Sequence, residues 1–164
     1  MDHIWYYDSP LGRILIASGG ETITGLWFEG QKHFGSTLSG DRREAELPVF
    51  GEAERWLDLY FAGVIPGFTP PLDPVGTPFR RVVWNELLRI PYGKTASYGD
   101  IAKALAAESG KTVSARAVGG AVGHNPISVI IPCHRVVGSD GSLTGYAGGF
   151  DRKKRLLALE SAVR

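Results

Sequence analysis

The stretch "IPCHRV", residues 131–136, places the chain's one cysteine, Cys133, between Pro132 and His134. A thiol with an imidazole beside it can act as a nucleophile: the imidazole takes the proton and the thiolate attacks. A free thiol is only slightly ionised near neutral pH, so a neighbouring base raises its reactive fraction. The apolar run "ISVIIP" ahead of it reads as a buried strand that Pro132 ends. Cys133 is then expected at the exit of that strand, with His134 near the sulfur where the chain turns. The commoner use of a lone cysteine is as a small buried apolar side chain. These residues alone leave both uses open.

A third group would orient the imidazole. Glu160 stands close to Leu156 and Leu157 in a C-terminal helical pattern. It is either a partly buried acid with a partner or a carboxylate at the rim of the apolar face. Arg116 projects from the small-residue run "SARAVGGAVG". Such a face suits close approach to a nucleic-acid groove, and it equally suits tight helix packing beside a solvated arginine. "GYAGG", residues 145–149, is too rich in glycine for a core element and suits a backbone-lined pocket wall. It lacks the strand-to-helix context of a phosphate loop. His3, His33 and His124 have no metal spacing with one another or with Cys133, so no metal site is expected.

These groups need elements to hold them. "HIWYYDS", "GRILIAS" and "TITGLWF" are short β-branched and aromatic runs split by turn residues, and predict an antiparallel meander. Residues 29–46 are polar and read as loop. Apolar residues at 50, 53, 56, 57, 60 and 61 have helical spacing, with Gly63 as a stop. The proline-rich "VIPGFTPPLDPVGTP" reads as a linker, with a domain boundary near Gly76. Thr77 and Pro78 then open a helix, and Ser97 with Asp100 form a capping-box pattern on the next, which closes at Gly110. Ser114 caps "ARAVGGAVG", so the last two helices form a helix-turn-helix pattern. Tyr98 follows the cap of the first of them. "RVVGSDGSLTGYAGG" reads as a hairpin or loop and "DRKKRLLALESAV" as a terminal amphipathic helix.

At 164 residues the chain can bury roughly two-thirds of its unfolded surface without a staple. One cysteine excludes an internal disulfide and a multi-cysteine zinc site. The N-terminus lacks the pattern of a signal peptide and no run approaches a membrane span, so a reducing cytoplasmic setting is expected. Residues 1–75 carry 5 Lys/Arg against 11 Asp/Glu and residues 76–164 carry 13 against 6, so the net +1 divides into −6 and +7. The basic half suits an anionic partner, or is a solvated surface.

"PYGKTASYGDIA", "ARAVGGAVGHNPISVIIPCHRVVGSDGSLTGYAGG" and "LLALE" closely resemble the O6-alkylguanine-DNA alkyltransferases, the methylated-DNA–protein-cysteine methyltransferases. The match runs over residues 77–160, and "SPLGRILIA" and "GLWFEG" fit the family's opening. The resemblance implies an α+β fold, with a ribonuclease-H-like sheet region over residues 1–76 on a helix-turn-helix, winged-helix-like domain over 77–164. It implies that Cys133 accepts an alkyl group from O6-alkylguanine, with O4-alkylthymine as a possible second lesion, and that the protein is consumed. It implies that His134 acts through a water, that Glu160 orients His134 and that Asn125 braces the turn before the site. Arg116 matches the arginine that enters the base stack, Tyr98 the tyrosine beside the flipped nucleotide, and Ser139 a loop contact to DNA. Tyr146, Ala147 and Gly148 match the lid over the guanine, with Pro132 and Val136 completing the pocket. The partner is double-stranded DNA, entered from the minor groove by a monomer, with cooperative binding open. No cofactor is implied, and localisation is cytoplasmic, on the nucleoid when bound. The sequence departs from the family at Ala147, often a serine, and with one cysteine the N-terminal zinc site of some members cannot be built in the same way.

Three other readings share parts of the pattern. A cysteine hydrolase would use Cys133, His134 and Glu160 but would not need Arg116. A damage-recognition module of the alkyltransferase-like kind would lack the cysteine. A transcription factor would not explain "PCHR".

Overall fold

The computed structural model describes residues 1–143 and 145–161. The strands β1 (Asp2–Ser9), β2 (Gly12–Ser18) and β3 (Ile23–Phe28) pair antiparallel in sequence order. Their turn closes on Gly12, whose φ of +123° only glycine takes readily. Alternation along β2 sends Ile14 and Ile16 into the main core, and Leu15 and Ala17 to a smaller cluster with Trp27 on the opposite face.

The polar segment expected as loop contributes a fourth strand, β4 (Arg42–Glu44), parallel to β1 at the edge of the sheet. Its three residues are polar and exposed, so no hydrophobic pattern marks them. Helix α1 (Pro48–Phe61) buries Phe50, Ala53, Trp56, Leu57 and Tyr60, and Gly63 follows with φ +83°. The proline-rich segment after it is docked, not free. Pro71 accepts from the amide of Ile23 and Ile23 accepts from that of Asp73, each at 2.8 Å, so the segment runs along β3.

Helix α2 (Pro78–Leu87) starts as expected: the Thr77 side chain accepts from the Arg80 amide. Strand β5 (Ala96–Ser97) leads into α3 (Tyr98–Ser109), which carries the full Ser97–Asp100 capping box and ends on left-handed Gly110. Ser114 caps α4 (Ala115–Gly123). The buried indole of Trp84 donates to Ala121 O at 2.8 Å and fixes α4 against α2.

Residues 127–132 correct the sequence reading, since they form no strand. The Ile131 amide donates to Ile127 O, and Val129 holds φ +69°. A β-branched residue adopts that conformation only under tertiary constraint. The run is apolar because it is buried, and a single bridge from Ile127 to Leu26 joins it to β3. Cys133 therefore leaves a tight turn, not a strand, and opens one turn of 3-10 helix, Cys133–Arg135. Strand β6 (Val136–Val137) pairs parallel with β5, and α5 (Phe150–Ser161) closes the chain. The expected extension of that helix through Ala162 and Val163 lies outside the described residues, as does Thr144 in the glycine-rich segment.

Candidate active site

Asn125 builds the turn from within. Its Nδ2 donates to Ile131 O and its Oδ1 accepts from the Ile127 amide, both at 2.9 Å. The two bonds close the loop that delivers Pro132 and Cys133. Cys133 is 3% exposed. Burial pushes its thiol up to about 11, against hydrogen bonds from Asn125 and the amides of Cys133 and His134 and the field of Lys153. At rest the sulfur is a thiol.

His134 is fully buried and its Nε2 lies 2.6 Å from Glu160 Oε2. Glu160, also fully buried, accepts five hydrogen bonds. Tyr60 of α1 donates to Oε2 at 2.6 Å, the Gly93 amide to Oε1 at 3.0 Å, and Arg135 to both oxygens at 2.8 and 3.1 Å. Burial alone would raise its pKa, but the bonds from His134, Arg135 and Tyr60 hold it well below the usual carboxylate range. A carboxylate can only accept, so the imidazole hydrogen sits on Nε2. Nδ1 is then a bare lone pair, and it has no hydrogen-bond partner among the described residues. Burial lowers the pKa of His134 despite the pull of Glu160. The ring is neutral, held in one tautomer, and able to accept a proton at Nδ1.

Three members of this cluster were not foreseen. Tyr60 reads in the sequence as one more apolar position of α1. Arg135 also donates to Ile90 O at 2.7 Å. Lys153 is fully buried on the face of α5 that carries Leu156 and Glu160, and its Nζ donates to Val136 O. Burial lowers the pKa of Lys153, and the cysteine thiolate would raise it. The spacing 153, 156, 160 is the signal that could have found it.

The remaining expected residues spread outward from the sulfur. Tyr146 is buried and meets the His134 ring edge-on at 6.4 Å. Gly148 is buried, and a Cβ there would lie 2.4 Å from the Tyr146 ring. Ala147 is half-buried, and Pro132 and Val136 are buried beside Cys133. Tyr98 is partly buried, packs beside Gly119 of α4, and has its hydroxyl against Gly145. Arg116 is exposed on α4, and Ser139 is exposed in the turn that Gly138 N and Ser142 O close. A cleft of about 530 Å³ runs between the glycines of α4, residues 145–149 and the loop after β3. Arg152 ties two of these walls together. It donates to Leu11 O, Gly148 O and Glu29 O, with its guanidinium over Phe28 at 4.7 Å. No helix among the described residues is long and apolar enough to cross a membrane.

Fold and site together define a helix-turn-helix protein with a sealed cysteine backed by a His–Glu pair. Family models for 6-O-methylguanine DNA methyltransferase match both parts: its ribonuclease-like domain over residues 3–74 and its DNA binding domain over residues 78–162. The chain belongs to that family. A methylated-DNA–protein-cysteine methyltransferase of Haemophilus influenzae is 46% identical over 94% of this chain and 84% of its own. One from Mycobacterium tuberculosis is 44% identical over 99% of this chain and 94% of its own. Among solved structures, Mycobacterium tuberculosis OGT in complex with DNA has a TM-score of 0.85 at 43% identity, covering 98% of this chain and 94% of that one. The O6-methylguanine DNA methyltransferase of Methanococcus jannaschii has a TM-score of 0.64 at 31% identity, covering 96% and 93%.

Proposed function

We propose that this chain repairs DNA by taking the alkyl group of O6-alkylguanine, and of O4-alkylthymine as a second lesion, onto the sulfur of Cys133. The observation that carries the reading is the bare Nδ1 of buried His134, next in sequence to the thiol and held in one tautomer by Glu160. The thiol gives its proton to Nδ1, directly or through a water. The thiolate attacks the alkyl carbon, the carbon–oxygen bond breaks, and its electrons pass to the base, which regains a proton. A new C–S thioether remains. Water activated by a Cys–His–Glu site can cleave a thioester but not a thioether, so each molecule acts once.

The thiol and the imidazole lie far apart in acidity, which favours the neutral pair until substrate arrives. Lys153 stabilises the thiolate as it forms. The reacting carbon lies inside the duplex, so the nucleotide must swing out, at a cost of a few kcal/mol. Arg116 fills the gap it leaves, and Tyr98 donates to guanine N3. Helix α4 enters the minor groove, whose base pattern is degenerate, as a repair protein blind to sequence requires. Residues 1–76 brace the site and 77–164 carry the DNA and active-site groups, with Tyr146, Ala147 and Gly148 over the base and Ser139 at the backbone. The protein works as a monomer in the cytoplasm.

Intact mass spectrometry after incubation with a duplex holding one O6-methylguanine tests this. The expected result is a gain of one methyl on Cys133, ending at one equivalent and absent in Cys133→Ala. Unchanged mass with tight DNA binding, or turnover beyond one equivalent, overturns it.

A further inference from the structure

The rim of the cleft holds a pair of imidazoles that the chemistry above does not use. His33, in the loop after β3, stacks on His124, the C-cap of α4, with ring centroids 4.1 Å apart and planes at 26°. His33 holds φ +59°, a left-handed conformation that residues other than glycine take uncommonly. The loop that presents it is pinned. Gln31 accepts from the Phe28 amide and the Ser128 hydroxyl and donates to Lys32 O, and the Lys32 amide donates to Ala147 O at 3.0 Å.

His124 Nδ1 lies 2.8 Å from Gly120 O. A carbonyl only accepts, so Nδ1 donates to it and Nε2 is the ring atom left for another partner. The other charged groups acting on His33 are Lys32 of its own loop and Arg80 of α2. Among the described residues none of these four side chains is in an ion pair.

We propose that His33, His124, Lys32 and Arg80 form an anion site for one backbone phosphate of the bound DNA. This rests on the reading of α4 as the DNA-facing helix. Two stacked imidazoles can both be charged only when an anion offsets their repulsion, and a phosphate supplies that charge with several acceptor oxygens. His124 lies eight residues beyond Arg116, roughly 12 Å along the helix axis. That span places the contact within a few nucleotides of the gap Arg116 fills. Desolvation of the exposed ring, then the charges of His124, Lys32 and Arg80, hold His33 below its ordinary 6.5. His33 therefore takes up a proton as the phosphate arrives, and affinity for DNA rises as pH falls.

Fluorescence anisotropy with an undamaged duplex, across a salt series at pH ~6 and ~8, tests this on wild type, Arg116→Ala and a His33→Gln/His124→Gln double variant whose melting matches wild type. Wild type should bind about tenfold tighter at the lower pH, with a salt slope steeper by about 1, the value for one more phosphate. The double variant should lose both differences. If it keeps them while Arg116→Ala weakens binding, the anion site falls and the DNA reading stands. If wild type does not bind the duplex, both fall. Inorganic phosphate is the second probe: saturable binding that the double variant loses, with its DNA binding intact, would assign the site to free phosphate and overturn the assignment to DNA.

Discussion

Tyr60 of α1 and His134 of the 3-10 turn each lie 2.6 Å from the same oxygen of Glu160. One carboxylate thus joins the N-terminal region to the group beside the thiol, and its charge sets the tautomer of His134.

Glu160→Gln removes that charge while keeping the shape. A carboxamide can turn its NH2 toward Nε2, and the hydrogen then moves to Nδ1, where it blocks proton uptake. Transfer in a single-turnover assay should slow roughly 100-fold or more. Arg135 is left buried without its partner, so stability should fall by about 3–5 kcal/mol. Urea unfolding measures this, and an unchanged rate would remove His134 from the chemistry.

Acid should unfold the protein in two stages. Glu160, ordinarily 4.5, and His134, ordinarily 6.5, are both held lower in the fold. The unfolded chain therefore binds these protons more readily, and stability is lost as pH falls. The loss begins as pH drops below 6.5 through His134 and continues below 4.5 through Glu160. Glu160→Gln should lack the lower stage. Urea midpoints between pH ~8 and ~2 check it, and a flat profile would contradict the buried pair.

Lys153→Met keeps the bulk of the buried side chain and deletes its charge. Lys153 is one of the groups that lower the Cys133 thiol against burial. The variant should transfer roughly tenfold more slowly at neutral pH and recover as pH rises, since the lost charge costs only thiolate. A rate deficit independent of pH would mean that Lys153 acts through packing alone.

Asn125→Ala opens the turn before the cysteine. It strands the Ile127 amide, at about 1–3 kcal/mol for a buried group, and leaves the Ile131 carbonyl with the Cys133 amide as its remaining donor. Asn125→Asp retains the acceptor for Ile127 and sets a negative charge against the sulfur. It should transfer more slowly than its loss of stability explains. Thermal unfolding and single-turnover rates, read together, separate the two effects.

Arg152→Ala frees residues 145–149 from the sheet, since one guanidinium satisfies the carbonyls of Leu11, Glu29 and Gly148. Amide exchange at Gly149, bonded to Tyr146 O, should accelerate, while the Trp84 indole, on the α2–α4 side, should not. Arg152→Lys keeps the charge without the planar fork and should recover only part of the protection.

The sequence is most legible where a local signal decides. The caps Thr77, Ser97 and Ser114 mark their helices because each answers an orphan amide within its own turn. The strand expected at 127–132 fails because apolar composition reports burial and not conformation; the left-handed Val129 is a tertiary outcome. Glu160 reads from its helix alone as a rim carboxylate or a buried one. Its donors arrive from Tyr60, Gly93 and Arg135, on separate elements, so no local pattern could bury it. Tyr60 stays hidden for the converse reason: its ring belongs to the α1 core and only its hydroxyl belongs to the site.

The sealing of Cys133 also governs how the protein ages. Peroxide and disulfide exchange act on an accessible thiolate, and a buried sulfur with its pKa pushed up to about 11 offers almost none. Idle molecules should keep their acceptor through oxidative stress that spends surface thiols. Under the proposed chemistry their working lifetime is counted in lesions met, not in hours elapsed.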